Sequence, residues 1–277
     1  MNRSDRRRFA LRLHYHGADF HGWQLQKNVP TVQGAVEAVL ERITGQRRPV
    51  VASGRTDAGV HATGQVASVD LPERWDAPSL RAALNALLPR SVWVEEVRRV
   101  PDDFHPRFHA IRRSYRYHLG TADDVGSPFK RSTCWALGPV EPWDEELLHR
   151  GAAAIPGTRS FRRFAKAGQP ERGEECRVER AEWSPLEGIG YVFRISADRY
   201  LHHMVRYLTG TMVEVARGHR PLDHMLTMLN DPDTDLRTSP PAPSEGLFLD
   251  EVEYPESRWG TSPDRDPSPP NPRTPTP

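Results

Sequence analysis

Apolar residues at every second position mark the first regular stretch of the chain. Phe9, Leu11, Leu13 and Tyr15 alternate with Ala10, Arg12 and His14, the period of a half-buried β-strand. A loop rich in glycine and aromatics follows from Gly17 to Val29. The period then changes to that of a helix. Val32, Ala35, Val36, Val39, Leu40 and Ile43 fall on one helical stripe, with Thr31 placed to cap its start and Gly45 to stop it. A second helix is predicted from Ser79 to Leu88, ended by Pro89, and strands from Val66 to Leu71 and from Val92 to Arg98.

The same mixture recurs further along. Strands are predicted from Ser114 to Leu119 and from Tyr191 to Ala197, and a capped helix from Asp144 to Ala154. A long helix is predicted from about Tyr200 to Arg217, with Leu201, Met204, Val205, Leu208, Met212 and Val215 on one stripe. Strands and helices alternate irregularly in two comparable halves, 9–104 and 105–254, which favours an α+β class over a doubly wound parallel sheet. A basic arm at 1–8 precedes them. Residues 255–277 hold 8 of the 26 prolines; so polar and proline-rich a tail is predicted to stay disordered.

Composition narrows the class. The 277 residues are 37% hydrophobic and 27% charged, and no apolar run approaches the roughly 18 residues of a membrane span. No secretion signal is read at the N-terminus. Cys134 and Cys176 have no CxxC partner, so neither a disulfide framework nor a zinc cage is expected, and a cytoplasmic location fits. The net charge is only +1, yet all but three of the 38 basic residues are arginine, the better residue for bidentate phosphate contact and base stacking. They cluster at Arg3–Arg8, at Arg112, Arg113 and Arg116, and at Arg159, Arg162 and Arg163.

Three segments could carry chemistry. In Ser53-Gly54-Arg55-Thr56-Asp57-Ala58-Gly59-Val60-His61-Ala62 two glycines bracket a carboxylate, so a sharp turn can present Asp57 to a substrate; an Asx turn joining two strands is the plainer alternative. The acidic repeat of a calcium loop and the glycine patterns of phosphate loops are absent. On the long predicted helix, Arg206 lies beside the apolar stripe, where it needs a carboxylate or phosphate partner or else faces solvent. His202 and His203, adjacent on a helix, would diverge by about 100° and make a poor metal pair. In Ser114-Tyr115-Arg116-Tyr117, preceded by Phe104-His105-Pro106-Arg107-Phe108-His109, both tyrosines can pack in the core, or one can form a stacking surface for a nucleobase.

In order along the chain, these segments resemble the tRNA pseudouridine synthase A family. The resemblance rests on Tyr15-His16-Gly17 through Phe20-His21-Gly22-Trp23-Gln24, Thr31-Val32-Gln33-Gly34, the segment from Gly54 to Ala62, Ser114-Tyr115-Arg116-Tyr117, His202-His203-Met204-Val205-Arg206, and Ala242-Pro243-Ser244-Glu245-Gly246-Leu247. It implies two ferredoxin-like halves sharing an extended antiparallel sheet, with helices on one face and a catalytic cleft between the halves. It also implies isomerisation of uridines at positions 38, 39 and 40 of the tRNA anticodon stem-loop, without metal or cofactor, by a homodimer. By the same resemblance Asp57 is the catalytic aspartate and Arg206 its ion-pair partner. Tyr115 stacks on the uracil with proton transfer as a further role, Arg55 helps turn the nucleotide out, and Leu247 lines the pocket. His16 and Ser160-Phe161 depart from the family pattern where it carries acidic residues, outside the catalytic set.

Overall fold

The computed structural model describes residues 6–166, 168 and 173–259. Its elements run β1 (Arg6–Tyr15), α1 (Val32–Thr44), β2 (Val51–Ala52), β3 (His61–Pro72), α2 (Ala77–Leu87), β4 (Val92–Arg99), β5 (Arg112–Gly120), β6 (Trp135–Ala136), α3 (Glu145–Ala153), β7 (Gly157–Ser160), β8 (Glu175–Leu186), β9 (Gly190–Ala197), α4 (Met204–Ala216), α5 (Leu222–Asn230), β10 (Leu247–Glu253) and α6 (Glu256–Trp259). Local signals explain many of the boundaries. Thr31 Oγ1 accepts the Gly34 N–H at the start of α1, and Gly45 ends it at φ 72°. Asp76 and Asp144 cap α2 and α3 in the same way.

The strands form one ten-stranded mixed sheet in the order β4-β1-β3-β10-β5-β9-β8-β7, with β2 paired to β3 and β6 to β5. Two cores sit on it. The first joins Leu11 and Leu13 of β1 to Val36 and Leu40 of α1 and to Leu80 and Leu84 of α2. The second joins Phe193 and Ile195 of β9 to Leu148 of α3, to Leu208 and Met212 of α4, and to Met225 of α5. At the seam β10 runs parallel to β3 and antiparallel to β5. Its Leu249 lies between Ala62 and Tyr115, and Tyr115 in turn pairs with Ile195. Cross-strand partners share a face, so both cores, with the helices that build them, cover the same side of the sheet. Phe248 therefore points the other way, beside His61 and Arg116.

The differences from the sequence reading have local causes. Arg6–Arg8 of the expected basic arm are the first residues of β1, where Arg8 pairs with Asp70 through two contacts of 2.7 and 2.9 Å; residues 1–5 lie outside the described residues. The expected tail begins with α6, whose Trp259 stacks on Tyr254 at 5.1 Å and takes Arg12 and Arg98 over its ring; residues 260–277 lie outside the described residues. Leu249 and Val252 of β10, which lie beyond the expected division at 104/105, pack in the first core. Among the described residues no helix is long and apolar enough to cross a membrane.

Candidate active site

The loop carrying Asp57 is held from below by the first strand and by the glycine-rich loop after it. Tyr15 Oη lies 2.8 Å from Thr56 Oγ1, and the Trp23 N–H donates to the Thr56 carbonyl at 3.0 Å. That second bond requires a close approach. Gly22 has φ 87°, and a Cβ there would meet Thr56 O at 2.6 Å, so the site selects glycine twice over. Inside the loop the Val60 N–H donates to the Asp57 carbonyl at 3.2 Å, and the turn leaves the Asp57 side chain facing the second half of the molecule.

The segment before α4 faces it. The long predicted helix begins at Met204, not Tyr200, because His203 takes a left-handed conformation at φ 64° and acts as the N-cap. His202 and His203 therefore do not lie on the helix with Arg206, and the divergence expected of helical neighbours does not apply. Both rings turn toward one carboxylate. His202 Nε2 lies 3.3 Å from Asp57 Oδ1, and His203 Nε2 lies 3.1 Å from Oδ2. Arg206 Nη1 lies 3.9 Å from Oδ2, while its Nε donates to the Ala242 carbonyl at 2.6 Å. Burial lowers the His203 pKa from its ordinary value, against the opposing pull of Asp57.

Asp57, His202 and His203 line a cleft of about 750 Å³ over the seam between the two cores. Tyr115 and Leu247 lie among its walls, as does the exposed Arg55. The Tyr115 ring meets Tyr200 edge-on at 4.9 Å. Burial pushes its phenol up to about 12, with Arg113 opposing and Asp57 adding to the rise, so it remains a hydroxyl at neutral pH. All five residues singled out in the sequence thus line the cleft or pair with Asp57. Tyr117 does not join them: it is core, and its hydroxyl donates to the Pro243 carbonyl at 2.8 Å.

The arginine cluster on β5 is divided by the pleat. Arg113 faces the cleft with Tyr115, whereas Arg112 pairs with Glu253 and Glu179, and Arg116 pairs with Asp250 on the far side of the sheet. Arg107, Phe108 and Arg199 also line the cleft; only alternation along β5 could have separated Arg113 from its neighbours in advance. Asp57, His202 and His203 bring three potential ligand atoms within 4.8 Å of one another, a donor set that suits a transition metal. The Arg206 guanidinium beside the same carboxylate already supplies the positive charge, and repulsion opposes a cation there.

Comparison with known proteins gives a consistent result. The family described as tRNA pseudouridine synthase matches residues 13–109 and 152–255, spans that contain Arg55, Asp57, Arg206 and Leu247, with Tyr115 between them. The chain is similar to the tRNA pseudouridine synthase A of Syntrophomonas wolfei, 36% identical over 249 residues, covering 90% of this chain and 98% of that one. It is 38% identical over 251 residues to that of Porphyromonas gingivalis, covering 90% and 97%. It is 39% identical over 246 residues to that of Moorella thermoacetica, covering 88% and 98%.

Proposed function

Because the chain belongs to the tRNA pseudouridine synthase family, and so to the isomerases that act on tRNA, we propose that it converts uridines of the anticodon stem-loop, at positions 38, 39 and 40, to pseudouridine through Asp57. The single observation that carries this reading is that Asp57, with Arg206 beside its carboxylate, lines one cleft together with Tyr115 and Leu247. The reaction breaks the bond from C1′ to N1, turns the uracil and joins C1′ to C5; N1 gains a proton and C5 gives one up. Atoms and electrons balance within the substrate, so neither metal nor cofactor is called for. Asp57 acts as nucleophile at C1′ or at uracil C6, or as base at C2′.

Each neighbour has a physical task in this scheme. Arg206 helps to fix the direction of the carboxylate. Tyr115 offers a ring on which the detached uracil stacks, Leu247 supplies an apolar wall, and Arg55 fills the gap left when the nucleotide is turned out, a step that costs a few kcal/mol of unstacking. Arg107, Arg113 and Arg199 give the rim the charge that phosphates require.

Each half reads as ferredoxin-like. The first follows the order β1-α1-β2-β3-α2-β4 with β4-β1-β3-β2 adjacency, and the second follows β5-α3-β8-β9-α4-β10 with β10-β5-β9-β8 adjacency, which supports the reading. A homodimer in the cytoplasm completes the proposal. The test is conversion of undermodified tRNA by the purified full chain: Asp57→Ala should abolish pseudouridine formation while tRNA binding survives, and full turnover by the folded variant would end the assignment.

A further inference from the structure

The two oxygens of Asp57 are held differently. Oδ2 is contacted by His203, whose side chain is 18% exposed, and by Arg206, 15% exposed. Among the described residues, the ion-pair partner of Oδ1 is His202, 57% exposed. The backbone deepens the contrast. His203 is one of two non-glycine residues with positive φ among the described residues, a conformation that costs free energy and clusters at functional sites. Its carbonyl accepts the Tyr207 N–H at 3.0 Å, so the strained residue is tied to the first turn of α4. Lys166, His202 and Arg206 are the other charged or titratable groups that act on it, besides Asp57.

From this asymmetry we infer that His203 is a positioning residue which, with Arg206, anchors Oδ2 of Asp57, and that Oδ1 is the oxygen that meets the substrate once the exposed His202 ring swings aside. The inference rests on Asp57 as the reacting group. It holds for attack at C1′, for attack at C6 and for proton removal at C2′, since each needs one carboxylate oxygen free of a donor and pointed at the sugar or base. The His203 ring suits the task by its geometry, with Nε2 3.1 Å from Oδ2. Through an Nε2–H it orients the carboxylate from the side away from Oδ1. The left-handed backbone aims the imidazole back over the Asp57 loop, where a helical residue at the same position would point along α4.

Substitutions that separate reach from backbone geometry test this. In Gln the amide nitrogen can stand near the place of Nε2; in Asn, which tolerates a left-handed backbone better than most residues, it falls short. Steady-state kinetics on an unmodified tRNA transcript, with the full chain and unfolding curves as a check of fold, should show His203→Ala losing on the order of 10²-fold in kcat with KM within about twofold. His203→Gln should recover about tenfold of that loss and His203→Asn should not. His202→Ala should raise kcat/KM roughly two- to fivefold, because an exposed contact that substrate must displace is gone. Equal recovery by Asn and Gln would assign His203 a backbone role only and overturn the inference, as would a His203→Ala defect confined to KM or a His202→Ala loss as deep as that of His203→Ala. Asp57→Asn is measured alongside. If it turns over normally, the reaction assignment itself fails, whereas an inactive Asp57→Asn with a fully active His203→Ala overturns only the anchoring role.

Discussion

Two pairs of histidines occupy opposite sides of the same seam, and they behave as different residues. His202 and His203 lie on the cleft side against a carboxylate. On the far side His61 stacks on Phe248 at 4.5 Å and His118 lies against the same ring at 4.7 Å. His61 Nδ1 accepts the Gly17 N–H and its Nε2 donates to the Glu245 carbonyl, so both ring nitrogens are committed as a neutral tautomer. Burial is the main cause that lowers both His61 and His118 to about 4. The lesson is that residue type assigns neither chemistry nor charge. A carboxylate lining a cleft draws one pair toward itself; burial around an aromatic ring makes the other into structure.

The sharpest way to break that contrast is on the cleft side. Asp57→Asn keeps the shape of the site and removes the charge, and kcat should fall by on the order of 10³-fold or more, read as pseudouridine formed per tRNA, with unfolding unchanged.

The far side should answer to acid instead. The folded pKa of each buried histidine lies below its unfolded value, so the unfolded chain binds more protons between about pH 6.5 and 4 and stability falls as pH drops through that window. At about 1.4 kcal/mol per pH unit, the loss approaches roughly 3 kcal/mol for each ring. Urea unfolding at pH 7 and pH 4.5 should show His118→Gln losing about half of this acid-dependent term; an unchanged difference would refute the assignment of the term to this pair.

A smaller effect tests the support beneath Asp57. Gly22→Ala should cost about 1–3 kcal/mol in chemical unfolding and also lower kcat, since its Cβ presses on the Thr56 carbonyl next to Asp57. The smallest effect compares two arginines. Arg107→Ala, at the cleft rim, should weaken tRNA binding about threefold and reduce the salt slope by about one. Arg194→Ala, on the far face with its guanidinium on Ser184, should leave both unchanged in a filter-binding titration.

Much of this was legible in the chain itself, and what was not has physical reasons. Thr31 and Gly45 delimit α1 because cap and stop are local chemistry. The Asp57 segment stood out because two glycines around a carboxylate are hard to explain by packing. β8 escaped because a register shift between Val178 and Arg180 interrupts its alternation, moving the buried set from Cys176 and Val178 to Ala181 and Trp183. β10 escaped because Leu247, Phe248 and Leu249 are consecutive and all buried, with no alternation to read. His203 was hidden by its own neighbours: the apolar stripe of α4 extends back to Leu201, and periodicity carries no sign of a residue that leaves the helical region.

The position of β10 in the sheet has a consequence for how the molecule is made. It is the last strand in chain order and yet it fills the middle of the sheet. A ribosome releases Asp57, and then the helix that bears Arg206, before it releases the strand that lies between the two halves of the sheet. Until translation has passed residue 253, β3 and β5 lack the full strand that pairs with both.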